Sequence, residues 1–340
     1  MKKIVINGIS GDSGVFIGET ISNLEKYIPG SNNIVIITDN IVRKIYGDFF
    51  DKYKVIEIGT GEGIKNLTTI NNIFEKLIEY EADRTSYIVG IGGGIVCDIA
   101  GFVASTYMRG IRFGFIASTL LAQVDASIGG KNGVNYQGYK NMIGVFRQPE
   151  FVICDPDLLG TLPEKELLCG FAEIVKHTVI GNAGMFKFLE ENYDKALNLD
   201  KEIIEKLVYD SLLIKSSIVN EDEKEKGERR KLNFGHTFGH ALEKVSGITH
   251  GEAVSIGMIF ASALSVKKEL LSPEDARRIE ILLNNMGLPV KMEADKDKVI
   301  DAIRRDKKRE QDIIHFVLLD KIGNAVIKEI SVDELEGLID

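Results

Sequence analysis

Only five histidines occur in the 340 residues, and three of them, His236, His240 and His250, fall within 15 positions. His236 and His240 stand at i and i+4 in Leu232-Asn233-Phe234-Gly235-His236-Thr237-Phe238-Gly239-His240, so a helix would present both on one face. His250 lies in Thr249-His250-Gly251-Glu252, the expected start of the next helix. Imidazoles joined by a carboxylate, with one position left open, are what a zinc-like catalytic ion requires. Glu173, in Ala172-Glu173-Ile174-Val175-Lys176-His177, is the candidate carboxylate. A single helical histidine is usually an ordinary surface or core residue. Three flanked by glycines, in a chain this poor in histidine, favour a metal site.

A second grouping is the turn Gly90-Ile91-Gly92-Gly93-Gly94, between an apolar run and a helical stretch from Ile95 to Ser105. Glycines there let backbone N–H groups approach a pyrophosphate at a helix N-terminus. A tight strand-to-helix connection would use the same residues, and the pattern is not a strict GxGxxG. Asp98 falls one turn into the helix, and Gly61-Glu62-Gly63-Ile64-Lys65 forms another glycine-flanked polar loop after a strand. Cations are spread along the chain at Arg109, Lys131, Lys140, Lys176, Lys215, Arg229 and Lys307-Lys308. Solvated surface accounts for most lysines. Lys131, between Gly129-Gly130 and Asn132-Gly133, and Lys140 beside Asn141 have the setting of groups that meet a phosphate or carboxylate.

These residues need a frame. The first 155 or so residues alternate β-branched runs with amphipathic stretches: Asn33–Thr38, Val55–Ile58, Ser86–Ile91 and Phe113–Ile116 read as strands. Ile70, Ile73, Phe74, Leu77 and Ile78 recur at helical spacing. The alternation implies α/β architecture, a mostly parallel sheet covered by helices in the manner of nucleotide-binding domains. From residue 156 onward the pattern is mainly helical, including Lys201 to Val219 and a helix capped by Ser272-Pro273. A hairpin is expected where His315–Leu319 and Ala325–Ile330 flank Gly323-Asn324. The division is therefore 1–155 and 156–340, with a cleft between the two domains.

Composition narrows the chemistry. A net charge of -9 argues against a general nucleic-acid surface, while a local cation cluster still suits an anionic small molecule. No run approaches the ~20 apolar residues of a membrane span, and the start Met1-Lys2-Lys3-Ile4-Val5-Ile6 reads as a first strand of a cytoplasmic protein. Cys97, Cys154 and Cys169 are odd in number and far apart, which supports buried thiols and no disulfide framework.

Taken in order, Gly92-Gly93-Gly94 with Asp98, Tyr107-Met108-Arg109-Gly110, Ser118 to Asp125, Gly129-Gly130-Lys131, Gly138-Tyr139-Lys140-Asn141, Ala172 to Lys176, Asn233 to His240, His250-Gly251-Glu252 and Arg305 to Lys308 resemble the 3-dehydroquinate synthase family. The resemblance runs from about Ile4 to Leu335. It implies a Rossmann-like NAD-binding domain, a mainly α-helical metal domain and a homodimer. Glu173, His236 and His250 match the ligands of zinc or cobalt, and His240 an active-site histidine beside the metal. Asp39, Glu62, Lys65, Gly93, Gly94, Asp98, Ser118, Thr119, Lys140, Thr161 and Leu162 match positions around NAD. Arg109, Lys131, Asn141, Lys176, Lys215, Arg229, Asn233 and Lys307 or Lys308 match positions around a sugar acid phosphate. Asp125 matches on both counts. Asn132 stands where the family more often has Thr, and Ala117-Ser118 where Pro-Thr is usual.

The resemblance further implies oxidation of a substrate hydroxyl by NAD, loss of phosphate, return of the hydride and ring closure by an aldol step. Sister cyclases of the same architecture, making 2-deoxy-scyllo-inosose or 2-epi-5-epi-valiolone, would differ in the substrate pocket. Retention of Lys215, Arg229 and Asn233 favours a substrate bearing a carboxylate. Iron-type alcohol and glycerol dehydrogenases would share the glycine turn and accumulate NADH. A catalytically dead NAD-binding homologue would have lost its metal.

Overall fold

Apolar runs bounded by polar turns become strands here because both faces of the sheet are covered. Every residue of Tyr87–Gly92 is buried, as a central parallel strand requires. The structure, a computed structural model, describes the chain apart from residues 9–10, 29, 31–32, 292–294, 308–312, 332–333 and 336–340, with backbone alone for 296 and 305–307. Two compact units divide it, Met1–Leu162 and Pro163–Asp340.

In the first unit the elements run β1 (Lys2–Gly8), β2 (Gly11–Ile17), β3 (Ile34–Asp39), α1 (Asn40–Ile45), α2 (Gly47–Phe50), β4 (Lys54–Ile58), α3 (Leu67–Glu79), β5 (Tyr87–Gly92), α4 (Gly94–Thr106), β6 (Arg112–Ala117), β7 (Lys131–Tyr136), β8 (Tyr139–Phe146) and β9 (Phe151–Cys154). Seven strands form one sheet in the order β1-β2-β9-β6-β5-β3-β4, parallel except for β1 against β2. From β3 the chain moves outward to β4, and from β5 it moves the opposite way to β6. The carboxyl ends of β3 and β5 therefore flank the point where the winding reverses, which is where open α/β sheets bind ligands. Ile36, Val89, Ile91, Ile116 and Ile153 fill the core beneath that edge, each side chain contributing about 1.5–3 kcal/mol.

Helix α3 starts where Asn66 Oδ1 accepts from Thr69 N at 3.0 Å. It buries Ile70, Ile73 and Leu77, while Ile78, at the margin of that stripe, is exposed. Strands β7 and β8 form a separate antiparallel hairpin. Asn132, the departure from the family pattern, is buried there, with Nδ2 donating to Gly130 O (3.0 Å) and Arg147 O (2.9 Å). A Cβ on Gly101 of α4 would sit 1.8 Å from Asn132 Oδ1, so the longer side chain is accommodated inside the unit by a missing one opposite. The segment Pro156–Thr161 belongs with the first unit, and the expected division after residue 155 falls one short helix early. Gln123 Nε2 donates to Asp155 O at 2.9 Å, and Asp155 Oδ1 accepts from Asp157 N at 3.0 Å, tying that helix to the sheet.

Among the described residues the second unit is helical apart from one hairpin: α5 (Glu164–Gly181), α6 (Ala183–Leu197), α7 (Lys201–Glu221), α8 (His236–Ser246), α9 (His250–Lys267), α10 (Pro273–Asn285), α11 (Lys296–Lys307), β10 (Ile313–Lys321) and β11 (Asn324–Ser331). Helix α5 is buried at almost every position from Leu167 to Ile180, and α9 nearly so. The Thr249 hydroxyl accepts from Glu252 N while the Glu252 carboxylate accepts from Thr249 N, a reciprocal cap that fixes where α9 begins. Helices α8 and α9 approach at glycines. A Cβ on Gly239 would lie 2.7 Å from Ala253 O, and one on Gly257 1.9 Å from Gly235 O. The three cysteines are free and buried, and burial pushes the thiols of Cys97 and Cys154 up. No helix among the described residues is long and apolar enough to cross a membrane.

Candidate active site

The close crossing of α8 and α9 brings His236, at the first turn of one, to His250, at the first turn of the other, with ring centroids 5.4 Å apart. A Cβ on Gly251 would stand 2.5 Å from Cys169 Cα, so α9 also meets α5 at backbone distance, and α5 carries Glu173. Glu173 is fully buried. Its Oε1 lies 3.0 Å from His250 Nε2 and 3.4 Å from His236 Nε2. An ion about 2.1 Å from each of three tetrahedral ligands separates them by about 3.4 Å, so the spacing suits zinc or cobalt. His236 Nδ1 faces Phe234 O at 3.1 Å, which leaves Nε2 as the lone-pair donor. The residues present therefore fit a divalent metal.

Lys176, one turn along α5 and buried, forms an ion pair with Glu173 Oε2. Burial alone would push the Glu173 carboxyl up; the Lys176 ammonium and then His236 outweigh it and hold the group well below the usual carboxylate range. Burial would likewise lower His250, and its hydrogen bond and ion pair with Glu173 leave it above the ordinary imidazole value. In the metal-free protein the Glu173 contribution to stability is thus present above the unfolded carboxylate value and lost as pH falls through the depressed one. That of His250 is present below the unfolded imidazole value and lost as pH rises through the raised one. A metal must displace the His250 proton. Affinity for Zn2+ or Co2+, measured by chelator competition, is expected to weaken at least about tenfold from about pH 7.5 to about pH 6. A flat profile would place the ion elsewhere.

His240 is exposed, its ring 5.2 Å from His236 and 6.3 Å from His250. Ligand atoms of His240, Glu243 and His250 also fall within 4.8 Å of one another, although of these two sets only the one containing Glu173 has a buried carboxylate. Arg229 and Lys215 are buried. The segment Glu228–Asn233 packs against α5 and α7. Asn233 Nδ2 donates to Glu225 Oε1 at 2.5 Å, and Asp222 accepts from the backbone of Lys226, Gly227 and Arg229 to hold that loop. The side chain of Lys307 and the whole of Lys308 lie outside the described residues.

In the first unit the residues matched to NAD gather at the carboxyl edge of the sheet. Asp39 ends β3, its Oδ1 capping α1 through Ile41 N and Val42 N at 2.9 Å each. The glycine turn ends β5. A Cβ on Gly93 would lie 3.0 Å from Thr119 Cγ2 and one on Gly94 2.8 Å from Ala126 Cβ, so tight packing and access for a phosphate both call for glycine here. Ser118 N donates to Gly92 O at 2.9 Å, and Thr119 Oγ1 accepts from Ala122 N at 3.1 Å. Asp125 is half-buried in the π-helical turn Ala122–Ala126. Thr161 Oγ1 meets the Tyr46 hydroxyl at 2.9 Å, and Leu162 N closes the turn onto Leu159 O at 3.1 Å.

Buried Lys65 pairs with Asp98 and donates to Asn141 Oδ1 at 2.6 Å. A residue matched to the sugar phosphate is thus brought among those matched to NAD. Lys131 and Lys140 are exposed on the hairpin. Arg109 is not brought into this group. It lies beyond the far end of α4, a helix of 13 residues whose first residue is Gly94, which puts it about 20 Å along the helix from the glycine turn. Sequence reasoning passes over Glu243 and Asn135; neither has a spacing or composition signal.

Comparison with known proteins identifies the family. The family model described as 3-dehydroquinate synthase N-terminal matches residues 55–169, and that described as 3-dehydroquinate synthase C-terminal matches residues 170–309. A 3-dehydroquinate synthase of Dehalococcoides mccartyi is 41% identical over 345 residues, covering 97% of this chain and 96% of that protein. One from Campylobacter concisus is 45% identical over 282 residues, 82% of this chain and 80% of the relative. A crystal structure of 2-deoxy-scyllo-inosose synthase complexed with carbaglucose-6-phosphate, NAD+ and Co2+ has a TM-score of 0.86 at 27% identity over 99% of both chains. On the two models and the near full-length relatives, the chain belongs to the 3-dehydroquinate synthase family.

Proposed function

We propose that the chain converts 3-deoxy-D-arabino-heptulosonate 7-phosphate into 3-dehydroquinate and phosphate, a carbon–oxygen lyase step on the way to aromatic amino acids. The observation that carries this is the convergence of Glu173, His236 and His250 around one buried carboxylate oxygen. When bound, NAD accepts and returns the substrate's hydride, and the metal lowers the pKa of the hydroxyl to be oxidised. The chain's own residues bind, orient and move protons. His240 relays the hydroxyl proton, its exposed ring lying beside those of His236 and His250. Lys131, Lys215, Arg229 and a C-terminal lysine, Lys307 or Lys308, neutralise the carboxylate and phosphate, and Asn141 and Asn233 fix the sugar's orientation. The leaving phosphate takes the proton of the elimination, so no separate base is required.

The reading extends to a cytoplasmic homodimer. Free, buried cysteines suit a reducing compartment, and Tyr136, Tyr139, Met142 and Phe146 are exposed apolar side chains on the β7–β8 hairpin that a second copy would cover. The test is to incubate metal-loaded protein with NAD and the heptulosonate phosphate, following phosphate and, with added dehydroquinase, the dehydrated product. Phosphate and dehydroquinate without net NADH are expected, from a particle that light scattering sizes at two chains. Net NADH would instead favour a dehydrogenase. The likeness to 2-deoxy-scyllo-inosose synthase supports a second reading as a sister cyclase, and no phosphate release with both cofactors bound would favour it.

A further inference from the structure

The ladder between β7 and β8 shifts register between Val134 and Tyr136, which takes Asn135 out of the pairing. The extra residues, 140–142, are on β8, and Asn135 opposite them bridges to Asn66, leaving its backbone and side chain to partners outside the ladder. Asn135 spends them on two neighbouring segments. Its N–H donates to Lys65 O at 2.8 Å, and its Nδ2 donates to Glu62 Oε1 at 2.7 Å. Its Oδ1 accepts from Asn141 N at 2.8 Å. Asn141 is held at φ +52°, a conformation side chains seldom adopt. From there its Oδ1 accepts from Lys65 Nζ, which also pairs with Asp98. The chain Glu62–Asn135–Asn141–Lys65–Asp98 is continuous, and within it the Asn135 side chain both donates and accepts.

We infer that Asn135 is a positioning residue that fixes the loop 59–66 against the β7–β8 turn, so that the groups facing NAD and the group facing the sugar phosphate are set as one unit. This rests on the proposed function, in which Glu62, Lys65 and Asp98 face NAD and Asn141 the substrate. An amide suits the position because one side chain of this length must donate to a carboxylate and accept from a peptide. Aspartate supplies only the acceptor and sets a second negative charge against Glu62. The substitution E62Q supplies a donor from the other side, so that E62Q and N135D made together restore both bonds with the first one reversed.

The experiment is a double-mutant cycle on the metal-loaded protein, reading NAD dissociation constant, KM and kcat for the heptulosonate phosphate, and thermal midpoint. N135D is expected to weaken NAD binding by about tenfold and raise KM by a similar factor, with little change in kcat. E62Q/N135D is expected to bind NAD within about threefold of E62Q alone. N135D matching the unsubstituted protein in both constants would overturn the inference. So would weakening that E62Q fails to relieve, because a residue that merely packs the hairpin gains nothing from a reversed donor. If N135D does not fold, N135S, which keeps a hydroxyl without the reach, must show the same tenfold weakening; unchanged binding again refutes it. Absence of NAD binding by the unsubstituted protein would instead remove the functional reading, and the inference with it.

Discussion

Replacing Glu173 with Gln is expected to empty the metal site and lower turnover by more than about a hundredfold, since even outer partners of metal ligands are worth 10- to 100-fold. The same change strips the buried Lys176 ammonium of its ion-pair partner. Breaking a buried ion pair by removing one partner costs about 3–5 kcal/mol, so the variant also unfolds at lower denaturant. The two effects separate in E173Q/K176M. Methionine removes the buried charge that has lost this pairing at similar volume, and most of the stability returns while metal and turnover stay lost. Atomic absorption on dialysed protein, with urea unfolding monitored in parallel, reads both. An E173Q protein that holds one equivalent of metal and turns over normally would show that Glu173 is not a ligand.

Gly257→Ala is expected to be nearly as damaging, although residue 257 touches no substrate in the proposed scheme. Its Cβ would arrive 1.9 Å from Gly235 O, and the nearest atoms belong to backbone. Gly235 sits at φ +77° immediately before His236, so the clash is relieved by moving the start of α8 and with it the histidine. Overpacking of this kind costs about 1–3 kcal/mol. A shift of about 1 Å in a catalytic group costs on the order of a hundredfold in rate. Gly47→Ala is the control, because nothing lies within 4 Å of a Cβ there and φ is not positive. Metal affinity, melting temperature and rate should all fall in the first and none in the second. Equal behaviour would mean that α8 and α9 can part without disturbing the site.

Much of this architecture is legible in the sequence, for reasons that differ by element. β3 and β5 announce themselves because strands buried on both faces are continuous apolar runs. The His236–His240 spacing is legible because a helix turns the i and i+4 positions to one side, and no later packing alters that. β2 is hidden because Gly11, Asp12, Ser13 and Gly14 read as a turn, while the ladder to β1 and β9 supplies what local propensity lacks. The β7–β8 hairpin is hidden for the same reason. Its residues Lys131-Asn132-Gly133 and Lys140-Asn141 look like a binding loop, and Met142, which looks like core, is exposed. The contact of Glu173 with His250 joins residues 77 apart and follows only from the crossing of α5 and α9. Asn135 acts through a ladder irregularity that no periodicity encodes.

The pairing of Lys176 with Glu173 also fixes an order of assembly. In small zinc domains the ligands repel or stay solvated until the ion arrives, and folding waits for it. Here the buried carboxylate has its own counter-charge within the same helix, one turn away, and both histidines can share its other oxygen. The helical unit can therefore close around an intact core before any metal is bound, and the ion joins a finished pocket. Loss of metal is then a reversible dissociation from a folded chain rather than the first step of its unfolding.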